Sequence, residues 1–214
     1  MSIPTQCTVA CPSCGAPIRF TMWKSINTDV ESAIPDILSG KLFEIECGSC
    51  GLKTRVEYPM LFNDMIHDMM VFYTDPDGVR DTEKTCHDVF RHRIRVRIVT
   101  SQNDLIEKVR LLADGLDDRA IELLKALERP RLQARMGSKT IESIRYLGKD
   151  GGYAFDLLYD GGHAVATFPA ESYDWVSDMI REYPNDCSTP FVIDQKWAER
   201  FLSAHSEPEA AKDV

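Results

Sequence analysis

Apolar and polar positions alternate with period two along much of this chain, which is the signature of half-buried strands. Ile18, Phe20 and Met22 alternate with Arg19 and Thr21, and Phe43 and Ile45 share one face of the stretch from Lys41 to Glu46. Leu52, Thr54, Val56 and Tyr58 alternate with Lys53, Arg55 and Glu57. Met60-Leu61-Phe62 and Met69-Met70-Val71-Phe72-Tyr73 are short apolar runs that extend the same sheet. From Phe90 to Ile98 the alternation is between apolar or histidine positions and arginines, so a strand is expected there too.

Helical segments are read in five places. Pro35 to Ser39 reads as a short helix stopped by Gly40, within an insertion from Ser25 to Gly40. Leu105, Val109 and Leu112 form a stripe that Asn103 or Asp104 can cap, and Ile121, Leu124 and Leu127 form a second stripe behind Asp117, ending before Pro130. Gly115 lies between them, so the pair reads as a helical hairpin. Beyond it, Ile141–Leu147, Tyr153–Tyr159 and His163–Phe168 are strand-like and are separated by two Asp-Gly-Gly turns, the pattern of an antiparallel meander. Glu171 to Tyr183 reads as a helix with Trp175 and Ile180 facing inward, and Ile193 to Leu202 as a terminal helix carrying Trp197. Residues 79–89 are polar and give no clear element.

Candidate chemistry sits at the strand ends. Cys11-Pro12-Ser13-Cys14-Gly15 and Cys47-Gly48-Ser49-Cys50-Gly51 both read C-x-x-C-G. Such a turn brings two sulfurs to one side of a tight loop, and the following glycine can take positive φ. Two matched turns supply the four thiolates of a tetrahedral site, so Cys11, Cys14, Cys47 and Cys50 are expected to hold a structural Zn2+ ion, with iron as the alternative. The insertion makes the gap between turns longer than the roughly 15–20 residues of a compact ribbon, and a hairpin can still return the chain to one point. A third reading is thiol redox chemistry at Cys11 and Cys14. It needs a helix to open after the motif, whereas a strand is expected here. A closed four-thiolate site leaves no position for water or substrate, which argues against hydrolysis at the metal.

Composition narrows the class. With 43% hydrophobic and 28% charged residues the chain is globular. A net charge of -9 argues against nucleic acid as partner, because neutralising phosphates needs a basic surface. No apolar run is long enough to span a bilayer, and the N-terminus lacks the basic-then-apolar order of a signal peptide. Seven cysteines, an odd number with four in metal-type turns, fit a reducing cytoplasm better than a disulfide framework.

Other residues carry weaker signals. Alternation places Arg91, Arg93, Arg95 and Arg97 on one strand face, either a binding surface for phosphates or acidic protein, or a solvated face paired with the chain's own carboxylates. Asp117-Asp118 with Glu122 has the makings of a hard-metal cluster, but helix capping accounts for the two aspartates. Cys86-His87 pairs a thiol with a base in what reads as a polar loop. Cys7 and Cys187 read as idle thiols, and His67 and His163 as turn and strand-start residues.

Taken together, several of these features define a resemblance. Cys11-Pro12-Ser13-Cys14, a second C-x-x-C after a helical insertion, Arg97-Ile98-Val99 ahead of Leu105-Ile106-Glu107-Lys108, and Leu116-Asp117-Asp118-Arg119 with Ile121-Glu122 follow one another. In this the chain, from about residue 7 to residue 125, resembles the CpXC family of bacterial and archaeal proteins, named for its Cys-Pro-X-Cys motif. The second turn departs from it, with Gly48 where a proline would echo the first. The resemblance implies a zinc ribbon in a protein of uncharacterised role, and it brings no catalytic residue.

The expected fold is α+β: an N-terminal zinc-ribbon-containing antiparallel sheet and helical hairpin over residues 1–135, a meander with helices over 136–204, and a disordered tail over 205–214. The expected role is a non-catalytic interaction or adaptor protein with a protein partner, since no nucleophile–base–orienter set or phosphate loop is legible. The alternative is an enzyme whose site lies away from the metal.

Overall fold

A computed structural model describes residues 2–89, 94–183 and 191–205. The chain divides into two compact units, Met1–Ala113 and Asp114–Val214. The boundary expected from sequence was near residue 135, after the second helix of the pair. That helix instead packs on the last two helices and the first meander strand, so it is counted with the C-terminal unit.

The first unit is built on a five-stranded sheet, β1 (Ile3–Ala10), β2 (Pro17–Asn27), β5 (Met60–Asp64), β6 (Met69–Tyr73) and β7 (Arg95–Val99), in that spatial order. A separate two-stranded ribbon pairs β3 (Glu44–Glu46) with β4 (Lys53–Arg55). The sheet is mixed and not purely antiparallel, because β2 pairs parallel with β5 and β6 parallel with β7. Parallel neighbours need long crossovers. The first crossover holds helix α1 (Ala33–Leu38) and the ribbon, and the second holds α2 (Val79–Val89).

Helix α3 (Gln102–Ala113) packs on α1 and on strands β6 and β7. Its Leu105 and Val109 join Ile26, Ile37, Phe43, Phe62 and Val71 in one core. Phe43 is fully enclosed against the rings of Tyr58 and Tyr73, with centroids 5.4 and 6.4 Å away. Burial pushes the Tyr58 phenol up to about 12, and its hydroxyl donates to Leu42 O at 3.0 Å. A second, smaller apolar cluster contains Ile18, Ile45, Cys11 and Cys47. The knuckles therefore rest on packed side chains.

The second unit begins with α4 (Asp118–Met136), which runs through Pro130 instead of ending before it. Proline removes one N–H from the ladder. The extra turns are held from outside: Arg129 donates to Ile141 O, and Gln133 bonds both Lys139 O and Ile141 N. The meander appears as expected, with β8 (Ile141–Lys149), β9 (Tyr153–Tyr159) and β10 (Gly162–Phe168) in antiparallel pairs. Gly151 and Gly161, in its two turns, have φ of 62° and 104°. Helices α5 (Ala170–Glu182) and α6 (Gln195–His205) complete the unit. Val176 and Ile180 form the buried face of α5, which leaves Trp175 57% exposed and not inward as expected. Trp197 of α6 is buried, as its pattern indicated. Of the expected tail, His205 closes α6 and the remainder lies outside the described residues.

Candidate metal centre

Each cysteine pair sits at the tip of a hairpin. The first links β1 to β2, and the second links β3 to β4. The two loops share one hydrogen-bonding scheme. Cys11 N donates to Ala16 O at 2.8 Å and Gly15 N to Cys11 O at 2.9 Å; Cys47 N donates to Leu52 O at 2.9 Å and Gly51 N to Cys47 O at 2.8 Å. Gly15 and Gly51 have φ of 74° and 73°, a conformation that disfavours any residue with a Cβ. The glycine after each motif is thus required by the loop's shape.

All four Sγ atoms lie within 4.8 Å of one another. Cys11 Sγ is 3.6 Å from Cys50 Sγ, and Cys14 Sγ is 3.6 Å from Cys47 Sγ. Four sulfurs at about 2.3 Å from a tetrahedral zinc ion stand about 3.8 Å apart, so the arrangement has the size of a metal-thiolate site. A disulfide needs about 2.05 Å, and all six described cysteines are free. Cys11 and Cys47 are buried, whereas Cys14 and Cys50 face outward.

The electrostatics lead to the same conclusion. Backbone N–H groups of Cys14 and Ser13 hold the Cys11 thiol below its ordinary range despite its burial. The N–H groups of Cys50 and Ser49 do the same for Cys47 and bring it to about 6. The Ala16 N–H favours the Cys14 thiolate, but the sulfurs of Cys50, Cys11 and Cys47 outweigh it and push Cys14 up to about 12. Four thiolates this close cannot all ionise unless a cation stands among them. The donor set therefore fits a divalent metal. Four thiolates suit zinc and iron alike, so the geometry supports a metal ion without choosing between them.

A family model described as CpXC protein matches residues 9–125, more than half of the chain. The chain belongs to the CpXC family. The matched stretch contains all four cysteines of the centre and runs from the end of β1 into α4. The chain matches no curated protein and no solved structure.

The remaining candidate residues of this CpXC chain are scattered. Arg91 and Arg93 lie outside the described residues, as does Cys187. Arg95 is exposed, but Arg97 is buried and donates to Val96 O at 2.9 Å. The described strand begins at Arg95, and Val96 to Val99 are buried throughout, so strict in–out alternation fails there. A strand entered by a parallel crossover is covered on both faces, and α2 and α3 both contact β7.

Cys86 and His87 belong to helix α2 and not to a loop. Cys86 is fully buried, with its thiol pushed up to about 11 by burial, while His87 is exposed. Cys7 is half-buried on β1.

Asp117 caps α4 by accepting from Arg119 N at 2.9 Å. Burial works against its charge, but the Arg119 guanidinium on both carboxylate oxygens holds its pKa below the usual value. Glu122 pairs with Lys125 at 2.8 Å, both largely buried. These groups make a structural network, and among the described residues the four cysteines are the group placed to hold a metal. His163 pairs with Asp156 at 3.1 Å on an exposed hairpin.

Two features escaped the sequence reading. Asp64 is buried at the β5–β6 turn, where it accepts from Ile66 N and His67 N and stands 2.8 Å from His67 Nδ1. An open groove of about 460 Å3 lies beside exposed Trp175, bounded by Leu124, Leu127, Arg131 and Glu171. An aspartate three residues before a histidine, between two apolar runs, was the one legible sign of the first. Nothing local marks the second.

Proposed function

We propose that this CpXC protein is a non-catalytic interaction protein in which Cys11, Cys14, Cys47 and Cys50 hold one structural zinc ion. One observation carries this reading: four sulfurs close the donor set on themselves, with all pairs inside 4.8 Å. A metal held by four thiolates has no open position at which to bind or polarise a substrate. Its contribution is to the fold, by joining the β1–β2 hairpin to the β3–β4 ribbon at their tips. The partner is a protein. The net charge of -9 speaks against nucleic acid, and among the described residues no helix is long and apolar enough to cross a membrane. Free thiols at all six described cysteines suit a reducing compartment such as the cytoplasm.

The test joins metal analysis to partner capture. Native mass spectrometry of anaerobically purified chain is expected to show one zinc ion per chain. Affinity capture with wild type and with Cys50→Ser, quantified by mass spectrometry, is expected to lose a defined partner with the metal. A chain without zinc removes the clamp from the proposal. An unchanged partner set with the metal gone removes the recognition platform.

A further inference from the structure

We infer that the chain pairs with a second copy of itself through the outer edge of strand β1. β1 is an edge strand of the five-stranded sheet, and among the described residues it hydrogen-bonds to β2 on one side alone. An open strand edge presents unpaired N–H and C=O groups that template another strand, and proteins normally blunt such edges with charges, proline or a covering element.

Most of the other described edges carry such guards. Helix α2 contacts β7, which also begins at Arg95. The β3–β4 ribbon carries Glu44, Glu46, Lys53 and Arg55, and β8 carries Glu142, Arg145 and Lys149. β10, seven residues from Gly162 to Phe168, lacks a charged residue or proline of its own, and its His163 bonds Asp156 of β9. β1 has eight residues, Ile3 to Ala10, none of them charged, in a chain of net charge -9. Its sole guard is Pro4, near one end. None of its side chains is buried.

The occupant that fits is another β1. Its Thr5, Thr8 and Val9 are suited to strand pairing, and the absence of charge makes the edge compatible with itself. A two-fold axis perpendicular to the sheet keeps equivalent faces on the same side. It therefore passes through a residue position and not between two. Centring it on Cys7 or Thr8 leaves Pro4 at the margin. Either choice sets the two Thr8 side chains directly opposite or diagonal to one another, within reach across antiparallel strands. The nearest fixed charge is Arg19, which stands opposite Thr8 on β2. In the pair centred on Thr8, Arg19 and its copy are three strand spacings apart, about 14 Å, beyond the Debye length of about 8 Å at physiological salt. Their repulsion is screened. One strand edge is small beside a standard interface of about 1,600 Å2, so association depends on concentration.

Sedimentation velocity over a concentration series tests this. Wild type is expected to move from the monomer mass of 24.3 kDa to twice that mass. Thr8→Lys and Thr8→Glu, each at an exposed position outside both core clusters, are expected to stay monomeric with unchanged circular dichroism. An equimolar mixture of the two is expected to recover the dimer, because opposite charges then meet across the axis. A wild type monomeric at every concentration overturns the inference. So does a dimer that both single variants keep, or a mixture that stays monomeric. Metal content is not part of the readout, so the result stands apart from the zinc proposal.

Discussion

Cys11 Sγ lies 3.6 Å from Cys50 Sγ, a residue 39 positions away and in the other knuckle. The same spacing joins Cys14 to Cys47, so each close sulfur contact crosses between hairpins and pairs one buried thiol with one exposed one. A metal ion held there would therefore fasten two elements together. Removing a ligand from either side should release both. Cys50→Ser, whose side chain is exposed and leaves the apolar cluster intact, is expected to lose the metal and to lower stability by several kcal/mol. Metal analysis and a thermal melt of the purified variant check it, and a variant that keeps its metal refutes it.

Gly51 offers a cleaner probe of the knuckle backbone. A Cβ added there would meet nothing within 4 Å, yet φ is 73°. The cost of Gly51→Ala is thus conformational and not steric, about 1–2 kcal/mol. Chemical denaturation of the metal-loaded chain is expected to show that loss with the metal still bound. A neutral result would mean the loop relaxes to negative φ.

The two motifs were legible because their geometry is local: two sulfurs and a glycine within five residues need no tertiary information. Strand β2 was legible through alternation, since one face of it is buried, β5 and β6 through short apolar runs, and the meander through its strand-like segments and Asp-Gly-Gly turns. The strand β1 was not, because its alternation of Thr5, Cys7 and Val9 with Gln6 and Thr8 has little contrast in polarity and it stands at an edge. Among the described side chains of helix α2 only Cys86 is buried, and its mostly polar composition hid the helix in the sequence. The parallel pairings, the coverage of Arg97 on β7 and the exposure of Trp175 are set by what packs against each element, and no window of sequence contains that.

Phe43 tests the main core. It is fully enclosed, it packs on Tyr58 and Tyr73, and its carbonyl accepts from Val56 N at 2.9 Å. Phe43→Ala leaves that backbone bond in place and removes the ring, so the loss is packing and cavity formation, about 3–5 kcal/mol. Equilibrium unfolding in urea is expected to shift by that amount. A loss below about 1 kcal/mol would mean the core closes over the vacancy.

Cys86 gives the pH-dependent prediction. Burial first, and the nearby Glu83 charge second, disfavour its thiolate and push the thiol up to about 11 from an ordinary value of 9.0. The folded state then holds a proton that the unfolded state gives up. The stabilising difference is complete below pH 9 and is lost as pH rises through about 11. At neutral pH the buried neutral thiol is neither accessible nor nucleophilic. Alkylation with iodoacetamide, mapped by peptide mass spectrometry, is expected to label Cys86 slowly in the native chain and at the rate of an ordinary thiol once it is denatured. Cys86→Ala is expected to flatten the fall in stability between pH 9 and pH 11. Rapid native labelling at pH 7, or an alkaline profile identical in wild type and variant, would show that the thiol is not held as the buried, neutral group on α2.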